Sequence, residues 1–454
     1  MAMLAPSAHP PVRSTADAAG LAERATAWFA DHAVDFGVFD GGALVQRPIP
    51  FDPLPRRLAR AHWEELARGL TQRVVALDCF VRDVYGEQRI LGDRILPREL
   101  VAASSSFLRA AAGPAARTGP QVCVAGIDLV RVSGRWLVLE DNLRVPSGVA
   151  YSLAARRASV ELLPAEMAAA RPISVAEYPR RLAAELARRG AGEGTPVLLT
   201  PGPANAAYYE HRELARLLRV PLVTGDQLIA SHRGCWWTDG TTTRPVSAIY
   251  HRYSPEYLDP VATPETVIGS PFLLTAWRNG AVGLANAPTC GVADNKAVFA
   301  YVPGMIRYYL GEEPLLQQPP TFTLGSRSHL RTALARVDEM VFKPVGESGG
   351  KGIMFGPSAR PQERDRIRRQ VEANPTGYVA QPALEVETLP CVQPDGTTEM
   401  RRADLRAFVI HGDDPWVMPG GLTRVAPSAD CWLVNSSAGG GVKDTWIEGV
   451  DAWP

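Results

Sequence analysis

Lysine is scarce in this chain. Of the 48 basic residues among its 454, only four are lysines, and the other 44 are arginines. The four are Lys296, Lys343, Lys351 and Lys443, all in roughly the last third of the chain. A compact ammonium on a flexible stem is not interchangeable with a planar guanidinium fork. The four lysines are therefore candidates for tasks that arginine cannot perform.

Long apolar runs are missing as well. No stretch approaches the roughly 18 to 20 apolar residues that a helix needs to cross a bilayer. The N-terminal segment MAMLAPSAHPPVRSTADAAG lacks an apolar core after a basic start, so we interpret it as a short disordered lead and not as a secretory signal. Basic and acidic residues balance at 48 each, which argues against nucleic acid or an anionic membrane as a partner.

Clustered cysteines and histidines are also absent. The six cysteines form no C-x-x-C pair and the eight histidines are dispersed, so neither a zinc site nor a disulfide framework is predicted. Isolated cysteines of this kind are typical of small buried side chains in a reducing compartment. We expect a cytoplasmic globular protein that binds neither nucleic acid nor membranes. The sequence carries no signal of its oligomeric state.

Hydrophobic periodicity predicts a mixture of helices and strands. Apolar residues recur at helical spacing in three stretches, 15–34, 56–85 and 175–189. The segments PVLLTPG, EHRELARLLRV and PLVTGDQL read as a β-α-β unit of a parallel sheet. The segment AVFAYVPGMIRYYLGEE reads as helical around Pro303 and Gly304. Strands dominate after it: MVFKP, GIMFG, YVAQP, LRAFVI and PWVMP.

Two carboxylates are predicted to face each other in a hairpin. If 121–132 folds back on 136–142 about a turn centred at Gly134, Asp128 lies opposite Glu140. Asn142 projects from the same face, because side chains alternate along a strand. Such an all-oxygen set favours Mg²⁺ or Mn²⁺ over zinc. The alternative is that one carboxylate faces solvent or pairs with Arg131 or Arg144.

The segment MVFKPVGESGGKGIMFG combines a lysine strand with a glycine-rich loop. Its glycines let backbone N–H groups approach phosphate oxygens, while Lys343 and Lys351 supply positive charge. The spacing is not that of a P-loop, since Gly352 follows Lys351. The alternative is an ordinary glycine-rich hairpin turn. Further on, Asp404 and Arg406 alternate on one strand, which suits either a metal-and-phosphate site or an ion pair within the strand.

The same loop spells G-x-S-x-G around Ser348, the pattern of a nucleophile elbow. Asp404 and His411 follow in the order that α/β-hydrolases use. A serine hydrolase is therefore one alternative for the function. It is disfavoured because an elbow runs directly into a helix, whereas Ile-Met-Phe follows this loop.

Seven segments between about residues 50 and 447 resemble the circularly permuted ATP-grasp proteins, the group related to the synthetase domain of glutathionylspermidine synthetase. In ordinary ATP-grasp enzymes the lysine strand and glycine loop precede the metal-binding E-x-N. Here Glu140-Asp141-Asn142 precedes Lys343 by some 200 residues, as the permuted order requires. The segments are YGEQRILGDRILP, GIDLVRVSGRWLVLEDNLRVPSGV, PGPANAAYYEHRELA, NAPTCGVADNKAVFAYVP, VFKPVGESGGKGIMFG, ADLRAF and PGGLTRVAP with VNSSAGGGVKDTW.

The resemblance implies an α+β fold, with a permuted ATP-grasp fold, a pre-ATP-grasp-like α/β domain and a helical N-terminal region. We expect the N-terminal lead and helix in 1–50 and the half with the metal-binding hairpin in 51–190. A substrate domain follows in 191–290. The half with the lysine strand, glycine loop and hinge occupies 291–454.

The resemblance also implies roles for individual residues. Mg²⁺, or Mn²⁺ in its place, would be bound by Asp128, Glu140 and Asn142. ATP would be contacted by Lys296, Lys343, Ser348, Gly349, Gly350, Lys351, Gly352, Gln381 and Leu384. The transferred phosphoryl group would be steadied by Arg406, Arg144 and Lys343. Relatives carry an arginine two residues before the metal-binding aspartate, whereas this chain has Gly126, so Arg406 or Arg424 is expected to substitute.

The implied activity is ATP-dependent ligation of a carboxylate to an amine through an acylphosphate. The substrates are expected to be small molecules or peptides, with a carboxylate-bearing amino acid or peptide as the acid. The substrate side would be lined by Tyr208, Glu210, His211 and Arg252. Besides the serine hydrolase, the alternatives are an ATP-dependent kinase on the same fold and a nucleotide-binding partner protein without catalysis.

Overall fold

A computed structural model describes residues 15–40, 43–114, 119–263, 266, 268–347, 350–434 and 439–448. Its helices are α1 (Thr15–Asp31), α2 (Arg60–Val84), α3 (Arg89–Gly92), α4 (Arg98–Ala102), α5 (Val149–Leu162), α6 (Pro164–Ala170), α7 (Tyr178–Arg189), α8 (Tyr208–Leu218), α9 (Leu273–Arg278), α10 (Lys296–Phe299), α11 (Val302–Leu310), α12 (Arg327–Ala335) and α13 (Pro361–Ala373).

Its strands are β1 (Asp35–Asp40), β2 (Ala43–Pro48), β3 (Arg56–Leu58), β4 (Val124–Val132), β5 (Arg135–Asn142), β6 (Thr195–Leu199), β7 (Leu222–Val223), β8 (Leu228–Ser231), β9 (Gly234–Thr238), β10 (Thr243–His251), β11 (Gly283–Ala285), β12 (Phe322–Thr323), β13 (Met340–Pro344), β14 (Met354–Phe355), β15 (Tyr378–Pro382), β16 (Thr388–Val392), β17 (Thr398–Ile410), β18 (Trp416–Val417), β19 (Leu422–Val425), β20 (Gly441–Lys443) and β21 (Thr445–Ile447). Helices and strands are interspersed along the chain, which confirms the predicted α+β class.

The central sheet has the strand order β20–β19–β17–β4–β5, and β16 and β18 also pair with β17. The strands β17, β4 and β5 are antiparallel neighbours. Helices α2 and α7 pack against β17, and α5 packs against β19 and β20. The interior of β4 is buried because neighbouring strands and helices cover it. This sheet carries the predicted metal-binding hairpin together with Arg406.

A smaller antiparallel sheet has the order β12–β15–β13–β14. Apolar side chains from α12 and α13 cover it, including Ala333, Ile367 and Val371. Its strand β13 carries Lys343, and the glycine-rich loop connects β13 to β14. The sheet thus positions the lysine strand and the loop opposite the central sheet.

A third sheet has the order β7–β6–β10–β9–β8, with β11 paired to β10. β6 is parallel to β7 and β10, and α8 connects β6 to β7, so the predicted β-α-β unit is confirmed. This sheet lies within 191–290. The four-part domain division stays a prediction, because both large clusters of buried apolar side chains draw on several of its segments.

Two element boundaries differ from the prediction. Residues 56–58 form β3 and not the first turn of a helix, because they pair in parallel with β21 near the C-terminus. The helix predicted around Pro303 is divided into α10 and α11. Proline is tolerated in the first helical turn, where its missing N–H would be unpaired anyway, and Pro303 lies in that turn of α11. Among the described helices, none combines the length and the apolar character that crossing a bilayer requires.

Candidate active site

The hairpin of β4 and β5 places Asp128 directly opposite Glu140, as predicted. The turn itself differs from the prediction, since it has two residues, Ser133 and Gly134, both with positive φ. A two-residue turn alone would pair Asp128 with residue 139. A shift in register after Asp128, where Leu129 pairs with Val138, restores the predicted pairing at the carboxylate end. This bulge has no signature in the sequence.

Asp128 is bound by two guanidinium groups from neighbouring strands. Arg406 donates from Nε and Nη2 to the two carboxylate oxygens, at 2.6 and 2.8 Å. Arg424 donates from Nη2 to Oδ2 at 2.9 Å, and it also forms a two-point contact with Asp404. Burial alone would raise the pKa of Asp128, but the two guanidiniums outweigh it and hold that pKa well below its usual range.

The register of β17 explains this arrangement. Arg406 lies opposite Asp128 on β4, and Asp404 lies opposite Arg424 on β19. Two acidic and two basic side chains therefore alternate on one face of three strands. The predicted common face of Asp404 and Arg406 is confirmed by this pairing. The alternative that Asp128 pairs with Arg131 or Arg144 is not observed among the described contacts, because the cations that bind it come from β17 and β19.

Glu140 is paired with a lysine from another element. Lys296 Nζ lies 2.8 Å from Glu140 Oε1 and donates to the carbonyl oxygen of Glu347 in the glycine-rich loop at 2.5 Å. Lys296 begins α10, where Asn295 caps the helix by accepting the Ala297 N–H. The lysine thereby connects the carboxylate pair on the central sheet to the glycine loop.

The residues present fit a hard divalent cation. Asp128, Glu140 and Asn142 provide oxygen donors along one cavity. Asn142 Nδ2 is buried without a hydrogen-bond partner, so its amide is free to adopt a ligand-bound orientation. Among the described residues, no group of three or more His, Cys, Asp or Glu is arranged to hold a metal. Mg²⁺ is commonly held by one or two carboxylates plus substrate phosphates, which suits so small a protein donor set.

A cavity of about 380 Å³ lies between the central sheet and the small sheet. It brings together most of the residues that the sequence singled out. Six cationic and five acidic side chains line it, a formal excess of one positive charge that favours a polyanion. The predicted site residues along it are Asp128, Glu140, Asn142, Arg144, Lys296, Lys343, Gly350, Lys351, Gln381, Leu384 and Arg406.

Not every predicted nucleotide residue is found there. Ser348 and Gly349 lie outside the described residues, and Gly352 does not line the cavity. Gln381 lines the cavity and donates to Thr321 Oγ1 at 2.8 Å. The roles of these residues stay predictions.

Gly126 leaves room for Arg406. A Cβ atom at position 126 would lie 3.3 Å from Arg406 Cδ and 3.2 Å from Pro146 Cβ. The arginine side chain therefore runs over the glycine and reaches Asp128 from the adjacent strand. Arg406 thus occupies the space beside position 126 that a side chain there would need, so the glycine at 126 and the position of Arg406 depend on each other.

Three of the four residues predicted on the substrate side are buried in the protein interior. Glu210, His211 and Arg252 are 0%, 1% and 3% exposed, and Glu210 accepts a hydrogen bond from Arg252 at 2.6 Å. Glu210 also accepts the N–H groups of Gly148 and Ala150, so it caps α5 next to the cavity. Neither these residues nor Tyr208 line the cavity. The expectation that they contact substrate is therefore not supported, because they form internal contacts.

Asp294 and Trp432 are among the cavity residues that were not identified from the sequence. Asp294 accepts the N–H groups of Leu143 and Arg144, and burial raises its pKa to about 6. Its position directly before Asn295-Lys296 was the available signal. Trp432 packs against Phe355 of the small sheet, with ring centroids 5.1 Å apart. Nothing in the local sequence indicated that contact, because Trp432 follows β19 outside any strand and lies far from Phe355 along the chain.

The arrangement required for a serine hydrolase is not formed. β13 and β14 are antiparallel strands joined by the glycine loop, so no helix follows the G-x-S-x-G segment directly. His411 Nε2 lies 3.8 Å from Asp78, whereas Asp404 is bound to Arg424. The proposed acid and histidine therefore belong to different contacts.

Nucleotide affinity is expected to fall as the pH rises above 8. Burial lowers the pKa of Lys343 to about 8, so below that pH the ammonium is already charged for phosphate binding. Above it, the lysine must take up a proton when a phosphate binds. Calorimetric titration should show the Kd for ATP rising by up to about tenfold per pH unit above pH 8. Lys343→Arg should show a flatter profile, and equal slopes in both proteins would contradict this origin.

Comparison with known proteins places this cleft in a family. The chain is 42% identical over 421 residues to an uncharacterized protein of Synechocystis sp., covering 91% of this chain and 87% of the relative. It is 40% identical over 452 residues to an uncharacterized protein of Mycobacterium tuberculosis, covering 98% and 80%. A protein of Frankia alni with the provisional name glutamate–cysteine ligase 2-3 is 40% identical, but the match spans 49% of that relative.

Structural comparison finds a solved protein with a similar fold. A glutathione synthetase-like effector from Globodera pallida superposes with a TM-score of 0.62 and 12% identity, covering 96% of this chain and 98% of that one. At this identity the likeness concerns the fold alone.

The family described as circularly permuted ATP-grasp type 2 matches residues 55–426, which include both the carboxylate hairpin and the lysine strand. The chain therefore belongs to the circularly permuted ATP-grasp type 2 family.

Proposed function

We propose that this protein is an ATP-dependent carboxylate–amine ligase that acts through an acylphosphate. The observation that carries the proposal is the cleft in which Lys343 of the small sheet and Lys296 of α10 line the same cavity as Asp128 and Glu140 of the central sheet. Membership of an ATP-grasp family implies the use of ATP and a divalent metal in general. The provisional name of the Frankia alni relative supports the ligase class, although this chain spans only about half of that protein.

The nucleotide would lie between the two sheets. Lys343 and Lys296 would bind its phosphates, the glycine loop would cover them, and the Gln381–Leu384 segment would border the base. Asp128, Glu140 and Asn142 would hold Mg²⁺, or Mn²⁺, which when bound neutralises charge on the phosphate oxygens. Until the metal binds, Arg406 neutralises the charge of Asp128 and Lys296 neutralises the charge of Glu140.

The chemistry needs positioning more than covalent help from the protein. A carboxylate oxygen of the acid substrate attacks the γ-phosphorus, and the bond from that phosphorus to the β–γ bridging oxygen breaks to release ADP. The amine then attacks the acyl carbon, phosphate leaves, and the amine loses a proton as the amide forms. Arg406 and Arg144 would orient the acid and the transferred phosphoryl group through their guanidinium N–H donors.

Hydroxylamine trapping tests the proposal. With ATP, Mg²⁺ and pooled carboxylic acids, hydroxylamine is expected to convert the acylphosphate into a hydroxamate while ADP is released. A substrate that gives ADP and a stable phosphorylated product but no hydroxamate would indicate the kinase. If ATP with Mg²⁺ raises the melting temperature but no pool gives ADP, the protein is a nucleotide-binding partner. An absence of any melting shift would contradict nucleotide binding altogether.

A further inference from the structure

One end of the cleft is built from apolar side chains. It lies beyond Arg406, whose Nη1 donates to the Ser147 carbonyl at 3.1 Å. From there the cavity is bordered by Phe36 of β1, Tyr151 of α5 and Leu422 of β19. We call this region the apolar end and define it by Phe36, Ile49, Tyr151 and Leu422, which all line the cavity.

The polar atoms at the apolar end are already engaged. The rings of Phe36 and Tyr151 meet edge to face with centroids 6.0 Å apart. The Tyr151 hydroxyl donates to the Asp35 carbonyl at 2.9 Å, so it is not available to a ligand. Ile49 and Leu422 present only carbon atoms. The side chains of the apolar end therefore present aromatic and aliphatic carbon atoms to the cavity.

No acidic side chain of the described cavity wall is left to pair with a charged substrate tail at that end. Asp128 and Asp404 are bound by Arg406 and Arg424, and Glu140 is bound by Lys296. Asp294 is occupied by backbone N–H groups, and Glu347 belongs to the glycine loop at the other end. An ammonium group in the apolar end would therefore be desolvated without a partner, which is strongly unfavourable.

Three guanidinium groups line the described part of the cavity, and each holds a carboxylate of the protein. Arg406 and Arg424 contact Asp128, and Arg144 lies 2.9 Å from Glu256. They can share N–H donors with a substrate carboxylate at the reacting position. The residues that define the apolar end provide no cation of their own for a second carboxylate.

We infer that the apolar end binds the non-reacting part of the acid substrate, and that this part is uncharged and apolar. The inference rests on the proposed ligase function and names the class of its acid: a monocarboxylate with an aliphatic or aromatic substituent. It excludes glutamate as the preferred acid. Phe36 and Ile49 lie before residue 55, where the family match begins, whereas Tyr151 and Leu422 lie within it, so only half of the apolar end is formed by residues outside that match.

The test uses hydroxylamine as the amine and two panels of acids of similar length. The apolar panel contains 4-methylpentanoate and 3-phenylpropanoate, and the charged panel contains glutarate and L-glutamate. With ATP and Mg²⁺, we expect hydroxamate to form at least about tenfold faster with the apolar panel. Equal or faster reaction with the charged panel would overturn the inference while leaving the ligase proposal intact.

A matched pair of variants locates the selectivity. Phe36→Lys adds a cation to the apolar end and is expected to shift the ratio of the two panels at least about tenfold toward glutarate. Ile229→Lys, at a position 51% exposed and outside the cavity, should leave the ratio unchanged. A ratio that is the same in both variants would overturn the inference, provided both have the melting temperature of the parent.

A second measurement separates failure of the inference from failure of the proposed function. If neither panel gives hydroxamate, the ligase proposal fails, and the acids are then compared by melting temperature in the presence of ATP and Mg²⁺. Stabilisation by 3-phenylpropanoate but not by glutarate, lost in Phe36→Lys, would support the apolar end as a binding site. Stabilisation by glutarate alone, or by neither acid, would overturn it.

Discussion

Replacing Asp128 by asparagine is expected to lower the free energy of unfolding by about 3 to 5 kcal/mol and to abolish the metal-dependent part of nucleotide binding. The stability loss follows because Asp128 is 3% exposed and is bound by both Arg406 and Arg424. Without its charge, Arg406 loses its carboxylate and Arg424 retains only Asp404. Urea unfolding measures the first effect, and calorimetric titration of ATP with and without Mg²⁺ measures the second.

Glu140→Gln is the matched control for that experiment. Glu140 lies opposite Asp128 but its side chain is 28% exposed and pairs with a single lysine, Lys296. We therefore expect a stability loss of no more than about 1 kcal/mol, together with the same loss of Mg²⁺-dependent binding. If Glu140→Gln binds ATP with undiminished Mg²⁺ dependence, the predicted metal-binding role of the carboxylate pair is wrong. If Asp128→Asn is as stable as the parent, the contacts of Asp128 with Arg406 and Arg424 contribute less to the free energy of unfolding than their burial indicates.

Lys443→Met is expected to cost about 3 to 5 kcal/mol of stability without changing nucleotide affinity. Lys443 is 1% exposed and its ammonium contacts Asp52 and donates to the Leu54 and Pro390 carbonyls. Removing it leaves the buried Asp52 carboxylate without its cation. Thermal and urea unfolding measure the loss, and the Kd for ATP extrapolated to native conditions should stay within about twofold of the parent.

Two further variants identify the cause. Lys443→Arg keeps the charge but places a larger planar group where three oxygens surround a compact ammonium, so we expect most of the loss to remain. Lys351→Met removes a lysine whose side chain is 80% exposed and should leave stability unchanged. A stable Lys443→Met protein, or full recovery with arginine, would show that the ammonium is not what stabilises this region.

The scarcity of lysine was informative, but for two different reasons. Lys296, Lys343 and Lys351 all line the predicted nucleotide cavity. Lys443, in contrast, lies in the interior and joins the segment before β3 to β16 and β20. In the interior, three oxygens surround the Lys443 ammonium, a setting that suits a compact cation better than a planar guanidinium. The count of lysines drew attention to both settings, but it does not distinguish a predicted nucleotide-binding lysine from a structural one.

Sequence patterns failed for polar residues whose role depends on burial. Glu210, His211 and Arg252 have the chemistry of a substrate site, yet all three are buried and form contacts in the interior. Glu210 is the one that caps α5. The sequence of an amphipathic helix such as α8 shows which residues are polar. It does not show whether a residue from a distant strand pairs with them in the interior. Arg252 is 42 residues from Glu210, and their contact exists only after β10 pairs with β6, against which α8 packs.

Local patterns were sufficient for the fold class, the family and the strands of the lysine hairpin, because each depends on neighbouring residues or on short motifs. The opposition of Asp128 and Glu140 was predicted from a turn centred at Gly134, and it holds only because the bulge after Asp128 compensates for the two-residue turn. The bulge after Asp128, the guanidiniums that bind it and the apolar end required the folded chain. Arg406 and Arg424 lie 278 and 296 residues from Asp128. They reach it because β17 and β19 join β4 in one sheet, and strand pairing at that separation is decided by packing of the whole chain.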